Sequence, residues 1–523
     1  MDTTASAQVP ASLPDGPELI FAIVRPVGVA SEGFLSELDG QLSNFGYSTK
    51  HIRISDLIEE ESSKLDELEP ISNDPELAHK RNEYDRITSL MNKGDEICEN
   101  NSHAATLAFL SISQIQAERA ESNRDKNEST NRDRSDDTCE KCRKLSIHEP
   151  VPRTAYIIDS IKRYEEVTHF RDIYGDRYIQ IGLQSSDEQR KNNLETDMKS
   201  SKYSLNVDDL NKMVKDLMGR DLRESGVYGQ KVSKVFPVSD FFINVDENLG
   251  PELSRFLNLL FDSPDFPKPT DAEFGMHLAF ASSIRSPELG LKVGSAILAK
   301  DQVLALGVNA HPTQSDSPRF DHSASDIGAL VLDTVKALSS ELFTQEAQLD
   351  LERQPDLFVD KLLSGALSSA KIKDLTEFQV PVHAEMSALL ALLRRGVTWD
   401  GLAPDDITMY VTAYPCHGCA KHLLALDCKV VYLEPYPKSR ASAMYGESSI
   451  ANFTPFTGIA PMRYESIFKI VSEKRKRQDG VRATWGRAEK GAAQPKVNMH
   501  IDQAGITLRE VAALTRLPQK TQY

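Results

Sequence analysis

The amino-acid sequence predicts an α/β protein of two domains, and three observations carry that expectation. Short apolar runs such as "ELIFAIV" (18–24) and "TAYIIDSI" (154–161) alternate with stretches of helical spacing, the pattern of parallel strands covered by helices. A Pro-rich segment, "FDSPDFPKPTDAEF" (261–274), interrupts that alternation and marks a boundary. At 523 residues the chain is long enough for two or three separate cores.

The front domain is expected over 18–260, after a disordered tail at 1–17. "ELIFAIV" reads as a strand, "FLSELDGQLSNFG" as a helix closing at Gly46, and "STKHIRI" as the next strand, together one βαβ unit. Residues 57–78 are acidic and read as a helix or exposed loop, and 80–117 carry helical periodicity. The segment 121–150 is almost free of apolar residues and reads as a mobile loop, because it cannot bury enough surface to offset its ordering entropy. Strands return at "TAYIIDSI", at "RYIQIGL" (177–183) and at "DFFINVD" (240–246).

The second domain is expected over 271–470, with 471–523 as a C-terminal extension. "MHLAFASSIRS" reads as helix, and "KVGSAILAKDQVLALGVNAHP" (292–312) as two strands turning at "KDQ". A helix-rich insertion spans 322–379. Then follow a helix, "HAEMSALLALLRRG" (383–396), a strand, "DITMYVTAY" (406–414), a helix from Pro415, and a strand, "KVVYLEPY" (429–436). No internal repeat is present.

Composition narrows the function. Apolar residues make up 40% and charged residues 27%, the balance of a soluble globular chain, and no run reaches membrane-spanning length. The first twenty residues lack a basic start followed by an apolar core, so a cytoplasmic protein with no membrane partner is expected. The formal net charge of -17 argues against a broad nucleic-acid-binding surface, which needs clustered Lys and Arg. The one dense basic run, "EKRKRQ" (473–478), reads as a solvated helix end. Six cysteines are too few for a disulfide framework, and close pairs in a reducing compartment point to metal.

"YPCHGCAKHL" (414–423) holds such a pair. The spacing puts the Cys416 and Cys419 sulfurs on one side of a helix's first turn, with Pro415 fitting that turn. A helix N-terminus favours thiolates. His383 opens another helix, and if the two helices start side by side the three ligands converge. His417 sits between the cysteines and points elsewhere, while His422 and Cys428 lie further along, where packing is the expected role. Three protein ligands leave one position for water, the mark of a catalytic zinc. Such water has a pKa near 7. Glu385, beside the metal but not bound to it, is placed to move protons. H-x-E with P-C-x-x-C is the signature of the zinc nucleobase deaminases.

"RSPELGLKVGSAILAKDQVLALGVNAHP", "HAEMSALL", "YPCHGCAKHLLAL" and "VVYLEPYPKS" resemble the deoxycytidylate deaminases. The resemblance implies a three-layer α/β/α cytidine-deaminase-like domain and a deoxycytidine nucleotide substrate. It implies that Asn309 of "GVNAHP" holds the deoxyribose or pyrimidine and makes Arg285 and Lys292 the candidates to face the phosphates, with ordinary surface charge as the alternative. Tyr436 sits past a strand's C-terminal end, where α/β ligands lie, and either stacks on the base or packs as a core aromatic. The implied reaction adds activated water to C4 of cytosine, with Glu385 protonating N3 and then the departing amine. A homo-oligomer is also implied.

In the front domain, "FAIVRPVGVASEGF" (21–34) lies where a phosphate-cradling loop belongs. Placing Gly28 within G-x-x-x-x-G-K-[ST], the positions of the first Gly, the Lys and the hydroxyl hold Arg25, Ser31 and Glu32. Glu32 would oppose a phosphate. The scaffold resembles a P-loop kinase, a parallel-sheet domain, in which phosphoryl transfer is lost, unless Arg25 substitutes for the missing charge. A kinase-like front fused to a deoxycytidylate deaminase resembles the bacterial antiviral deaminases that deplete deoxycytidine nucleotides. "AYIIDSIKRYEEVTHFRDIYGDRYIQIGL" (155–183) and "GVYGQKVSKVFPVSDFFIN" (226–244) share that likeness. It implies dCTP or dCMP as substrate and release from an inhibitor, an RNA in some members.

Cys139 and Cys142, in "CEKC", offer a second, structural zinc together with Cys98 and His103 or His148; the alternative is two solvated thiols. Three competing readings stand beside the free-nucleotide deaminase: a nucleotide kinase with an accessory zinc domain, a nucleic-acid cytosine editor, and a silent sensor whose zinc only shapes a pocket.

Overall fold

The computed structural model describes residues 16–66, 83–130, 149–200, 206–222, 224, 226–264, 267–300, 302–313, 322–367, 370–375, 380–396, 406–435, 439–469, 485–497 and 503–517. It divides into two compact units, Met1–Lys268 with Gly458–Tyr523, and Pro269–Thr457.

The front unit opens with β1 (Leu19–Val24), every residue of which is buried, as a central strand covered on both faces requires. Helix α1 (Glu32–Asn44) buries Phe34, Leu35, Leu38 and Leu42 along one stripe. Each such side chain contributes about 1.5–3 kcal/mol when fully buried. Then come β2 (Ser48–Arg53), α2 (Ile54–Asp66), α3 (Glu83–Asn100) and α4 (Thr106–Thr130). Helix α4 carries the chain through 121–130, which the sequence analysis assigned to a loop. The mixed charges there are spaced along a regular helix, so low apolar content did not preclude order. The rest of that expected loop, 131–148, lies outside the described residues.

Next are β3 (Thr154–Asp159), α5 (Tyr164–Tyr174), β4 (Tyr178–Gln184), α6 (Asp187–Ser200), α7 (Val207–Leu222), β5 (Phe241–Asn244) and α8 (Leu249–Leu260). Strands β1 to β5 form a parallel sheet in the order β5-β4-β1-β3-β2. From β1 the chain runs one way, to the edge strand β2 and back to β3, and then crosses to β4 and β5 on the other side, so the carboxyl end of β1 is a topological switch point, where α/β sheets place their ligands. On one face Phe21, Ile23, Ile157 and Ile181 pack against Leu38, Leu42 and Leu257 of the covering helices.

The second unit begins with α9 (Asp271–Ser283), whose N-cap Thr270 and Glu273 exchange backbone hydrogen bonds in a capping box. The hairpin β6 (Gly294–Ala299) and β7 (Gln302–Val308) follows, antiparallel as expected. The insertion consists of α10 (His322–Leu342), α11 (Gln345–Arg353) and α12 (Pro355–Ser364), with a core of its own around Val331, Val335, Leu351 and Val359. After it run α13 (Ala384–Arg394), β8 (Ile407–Ala413), α14 (His417–Ala425), β9 (Lys429–Glu434) and β10 (Phe453–Pro455). The sheet order is β10-β9-β8-β6-β7, with β8, β9 and β10 parallel.

Helices cover both faces of this sheet. A Cβ placed on Gly294 would meet Ala279 O and Ser283 N of α9, whereas the next residue, Ser295, donates its hydroxyl to Ala384 O of α13. Successive strand residues face opposite ways, so α9 and α13 lie on opposite faces. Ala420 and Leu423 of α14 share one core with Ala388 and Leu392 of α13, so both helices cover the same face.

The chain then returns to the front unit. Strand β11 (Gly458–Ile459) pairs antiparallel with β5, and α15 (Gln503–Leu514) packs on α4 and α5. Residues 458–470, read as the end of the second domain, and 471–523, read as an extension, therefore group with the front unit. The reason is electrostatic as well as steric. Arg119 is wholly buried and donates to both Glu18 and Glu510 at 2.6–3.1 Å, so α4, the entry to β1 and α15 share one ionic triad. No helix among the described residues is long and apolar enough to cross a membrane.

Candidate metal centre

Helices α13 and α14 begin with a ligand at the N-cap. His383 caps α13 with extended backbone, φ -69° and ψ 155°. Cys416 caps α14 in the same conformation, φ -65° and ψ 163°, and its sulfur accepts the amide hydrogen of Cys419 at 3.4 Å. Pro415 therefore precedes the helix, a correction to its expected place in the first turn: the sulfur takes the capping position a side-chain oxygen would usually hold.

Five contacts hold these helix starts in place. Ala310 and Val382 exchange backbone hydrogen bonds at 2.9 and 3.1 Å, fixing the strand-like residue before His383. Ser295 grips Ala384 O at 2.7 Å. Gly307 lies so close to α13 that a Cβ there would sit 2.1 Å from Ala384 O. On the other side, Tyr414 N donates to Glu434 O at 2.8 Å, and Ser439 Oγ donates to Pro415 O at 2.7 Å, pinning the loop that carries Cys416.

As a result His383 Nδ1 stands 3.3 Å from Cys416 Sγ and 3.5 Å from Cys419 Sγ. The three ligand atoms lie within 4.8 Å of one another, and among the described residues no fourth His, Cys, Asp or Glu joins them. Cys428 is buried in the core with its thiol on Lys429 O, His422 is exposed, and His417 is buried with its carbonyl on the Tyr445 hydroxyl. Two sulfurs and one imidazole suit zinc, and a three-donor set leaves a coordination position open. His383, Cys416 and Cys419 fit a zinc site.

The three donors shift one another strongly. The hydrogen bond from Cys419 outweighs burial and, with His383, brings the Cys416 thiol down to about 4. Burial opposes charge on His383, but the Cys416 thiolate carries it up to about 9. Glu385, on the first turn of α13, is 3% exposed, and burial raises its carboxyl to about 7 despite His383.

The expected substrate residues are less uniform. Asn309 is buried, and its amide spans the 291–293 backbone: Oδ1 accepts from Val293 N at 2.7 Å and Nδ2 donates to Leu291 O at 2.9 Å. One hydrogen and one lone pair of that amide are left for a ligand. Arg285 is exposed; Lys292 is half-buried and lies on the segment this amide holds. Tyr436 lies outside the described residues, as do Cys139, Cys142 and His148. Cys98 is buried with its thiol on Ala104 O, and burial raises it to about 11. Neither Cys98 nor His103 belongs to a three-ligand group among the described residues.

Glu434 was not singled out from the sequence. It shares the face of Val430 and Tyr432, which pack in the core beneath α13 and α14, and it ends β9 beside the end of β8. Burial raises its carboxyl to about 7. The available signal was its place as the last residue of a strand on the metal face, where α/β sites gather.

In the front unit, Arg25 is paired with Asp159 at 3.0 Å and donates to Val29 O at 3.1 Å, so its charge is not offered to a phosphate in place of the missing Lys. Ser31 is buried at the N-cap of α1 and Glu32 is the first residue of that helix. Gly28 has φ +84°, and a Cβ there would sit 2.7 Å from Arg190 O, so its glycine answers to backbone conformation and to α6.

Residues 269–434 match the family model of the cytidine and deoxycytidylate deaminase zinc-binding region. No curated protein matches the chain. Two solved structures of dCMP deaminase from the cyanophage S-TIM5 are similar to it. One, in apo form, has 16% identity and a TM-score of 0.21, covering 36% of this chain and 99% of that one. The other, in complex with dCMP and dUMP, has 16% identity and a TM-score of 0.22, covering 36% and 97%.

Proposed function

We propose that this chain hydrolyses the 4-amino group from a free deoxycytidine nucleotide, dCMP or dCTP, giving the uracil nucleotide and ammonia. The observation that carries the reading is one buried, unligated carboxylate, Glu385, beside the three-donor zinc site of His383, Cys416 and Cys419. Zinc, when bound there, supplies a water polarised for attack at neutral pH. Glu385 would take one proton from that water and place it on N3 of the pyrimidine, then take the second from the hydroxyl added at C4 and place it on the amine, which leaves as ammonia as the C4 carbonyl forms. Its burial keeps bulk water from competing for the proton, and its pKa near 7 suits both directions of transfer. Lys292, on the segment held by Asn309, and Arg285 supply positive charge for phosphate.

The family region over 269–434 supports cytosine deamination. The net charge of -17 favours a free nucleotide over a polynucleotide. The parallel order β5-β4-β1-β3-β2 supports a kinase-like scaffold for the front unit, with phosphoryl transfer lost. Homo-oligomerisation, restraint by an RNA and depletion of the nucleotide pool as antiviral defence rest on the resemblance of the motifs.

The test offers purified protein dCMP, dCTP, CMP, CTP and cytidine in turn and measures uracil products and ammonia. Turnover of a deoxycytidine nucleotide above the others is expected. Absence of product from all five overturns the reading, and ATP consumption with dCMP would favour the kinase instead. Protection from phage by Glu385→Ala, without ammonia release, would favour the silent sensor.

A further inference from the structure

The connection between β1 and α1 sits at the switch point of the front sheet, the place where such folds cradle an anion. Its polar groups are already engaged. Val27 N donates to Asp221 Oδ2 at 2.8 Å. Lys162 Nζ donates to Asp221 Oδ1 at 2.7 Å and to Arg25 O at 2.7 Å. The Asp221 side chain is 1% exposed. One carboxylate oxygen thus lies on a loop amide and the other on an ammonium, the two kinds of donor a phosphate would find in a working loop.

We propose that this connection is an oxyanion site whose occupant is the chain's own Asp221. The surrounding loop is built to keep it there. Arg190 Nε donates to Val27 O at 3.0 Å and Asn193 Nδ2 to Gly28 O at 2.9 Å, so α6 holds the loop by its carbonyls. Val27 packs with Leu194, Leu210, Val214 and Leu217 of α6 and α7, and α7 carries Asp221 in its last turn. The charges balance within the group: Lys162 with Asp221, and Arg25 with Asp159 at 3.0 Å. A phosphate entering here would have to displace Asp221 and leave a buried carboxylate without its partners, a strongly unfavourable exchange. This accounts for the absence of a loop lysine: the cation comes from Lys162, after β3, and serves an internal anion. The front unit then holds its switch point closed without a nucleotide.

The test compares thermal denaturation of the full wild-type chain with Asp221→Ala in formate, acetate or phosphate, against chloride at equal ionic strength. The variant is expected to melt lower than wild type in chloride and to recover several degrees, saturably, in the oxyanions. Wild type is expected not to shift. Adding Lys162→Met to the variant is expected to abolish the recovery. A folded Asp221→Ala that gains nothing from oxyanions overturns the proposal. So does saturable binding of pyrophosphate or ATP to wild type that Lys162→Met removes, since that shows an open site. Should Asp221→Ala not fold, Asp221→Asn and Lys162→Met are compared singly and together: strongly non-additive losses support the pair, and additive losses overturn it.

Discussion

The Nδ1 of His383 stands 3.3 Å from the sulfur of Cys416, across 33 positions of sequence. Neither residue lies inside a helix; each caps one. Removing metal with a strong chelator should abolish ammonia release, and adding zinc back should restore it. His383→Ala and Cys416→Ala should purify with little zinc, measured by atomic absorption, and without activity.

Glu385→Gln keeps the shape of the side chain but cannot carry the proton. Turnover should fall by about 10²–10⁴-fold, the usual size of general acid–base assistance. Zinc content should stay at the wild-type level. A variant that loses its zinc as well would mark Glu385 as a ligand or support of the metal instead.

Glu434 gives a pH-dependent signature. Its carboxyl is raised from 4.5 to about 7 in the folded chain. Between those values the folded state holds a proton that the unfolded state has released, so this group's contribution to stability falls as pH rises through the window. Glu434→Gln lacks that proton. Its unfolding free energy, from urea denaturation at a series of pH values, should match wild type below the window and exceed it above, by up to about 3 kcal/mol at about 1.4 kcal/mol per pKa unit. A difference independent of pH would contradict the burial of this carboxylate.

Arg119→Ala would leave Glu18 and Glu510 buried without their partner. Breaking a buried ion group from one side costs about 3–5 kcal/mol. Urea denaturation should show a loss of that order, and truncation before α15 should show a comparable one. Triple replacement of Arg119, Glu18 and Glu510 by apolar residues should recover much of the loss.

Gly307→Ala would bring a Cβ to 2.1 Å from Ala384 O and 2.5 Å from Ala388 N. Helix α13 must move, carrying His383 and Glu385 with it. Overpacking of this kind costs about 1–3 kcal/mol. Activity should fall more steeply than stability, and Gly307→Ser should be at least as damaging.

Much of the metal chemistry was legible from the chain alone. H-x-E and P-C-x-x-C are local patterns, and each ligand type is dictated by what zinc and proton transfer require. The alternation of apolar runs with helical spacing likewise determined the α/β class, because period and burial are properties of short segments. Other features were decided only by tertiary structure. That Cys416 caps α14, and that Pro415 stays outside it, depends on where a sulfur meets an amide. That 458–523 returns to the front unit depends on Glu510 finding Arg119, 391 positions away. That the β1–α1 connection holds Asp221 depends on a contact over 194 positions. Residue type states which interactions a side chain can make; only the folded chain selects the partner, because partners distant in sequence are chosen by packing and by the need to pair every buried charge.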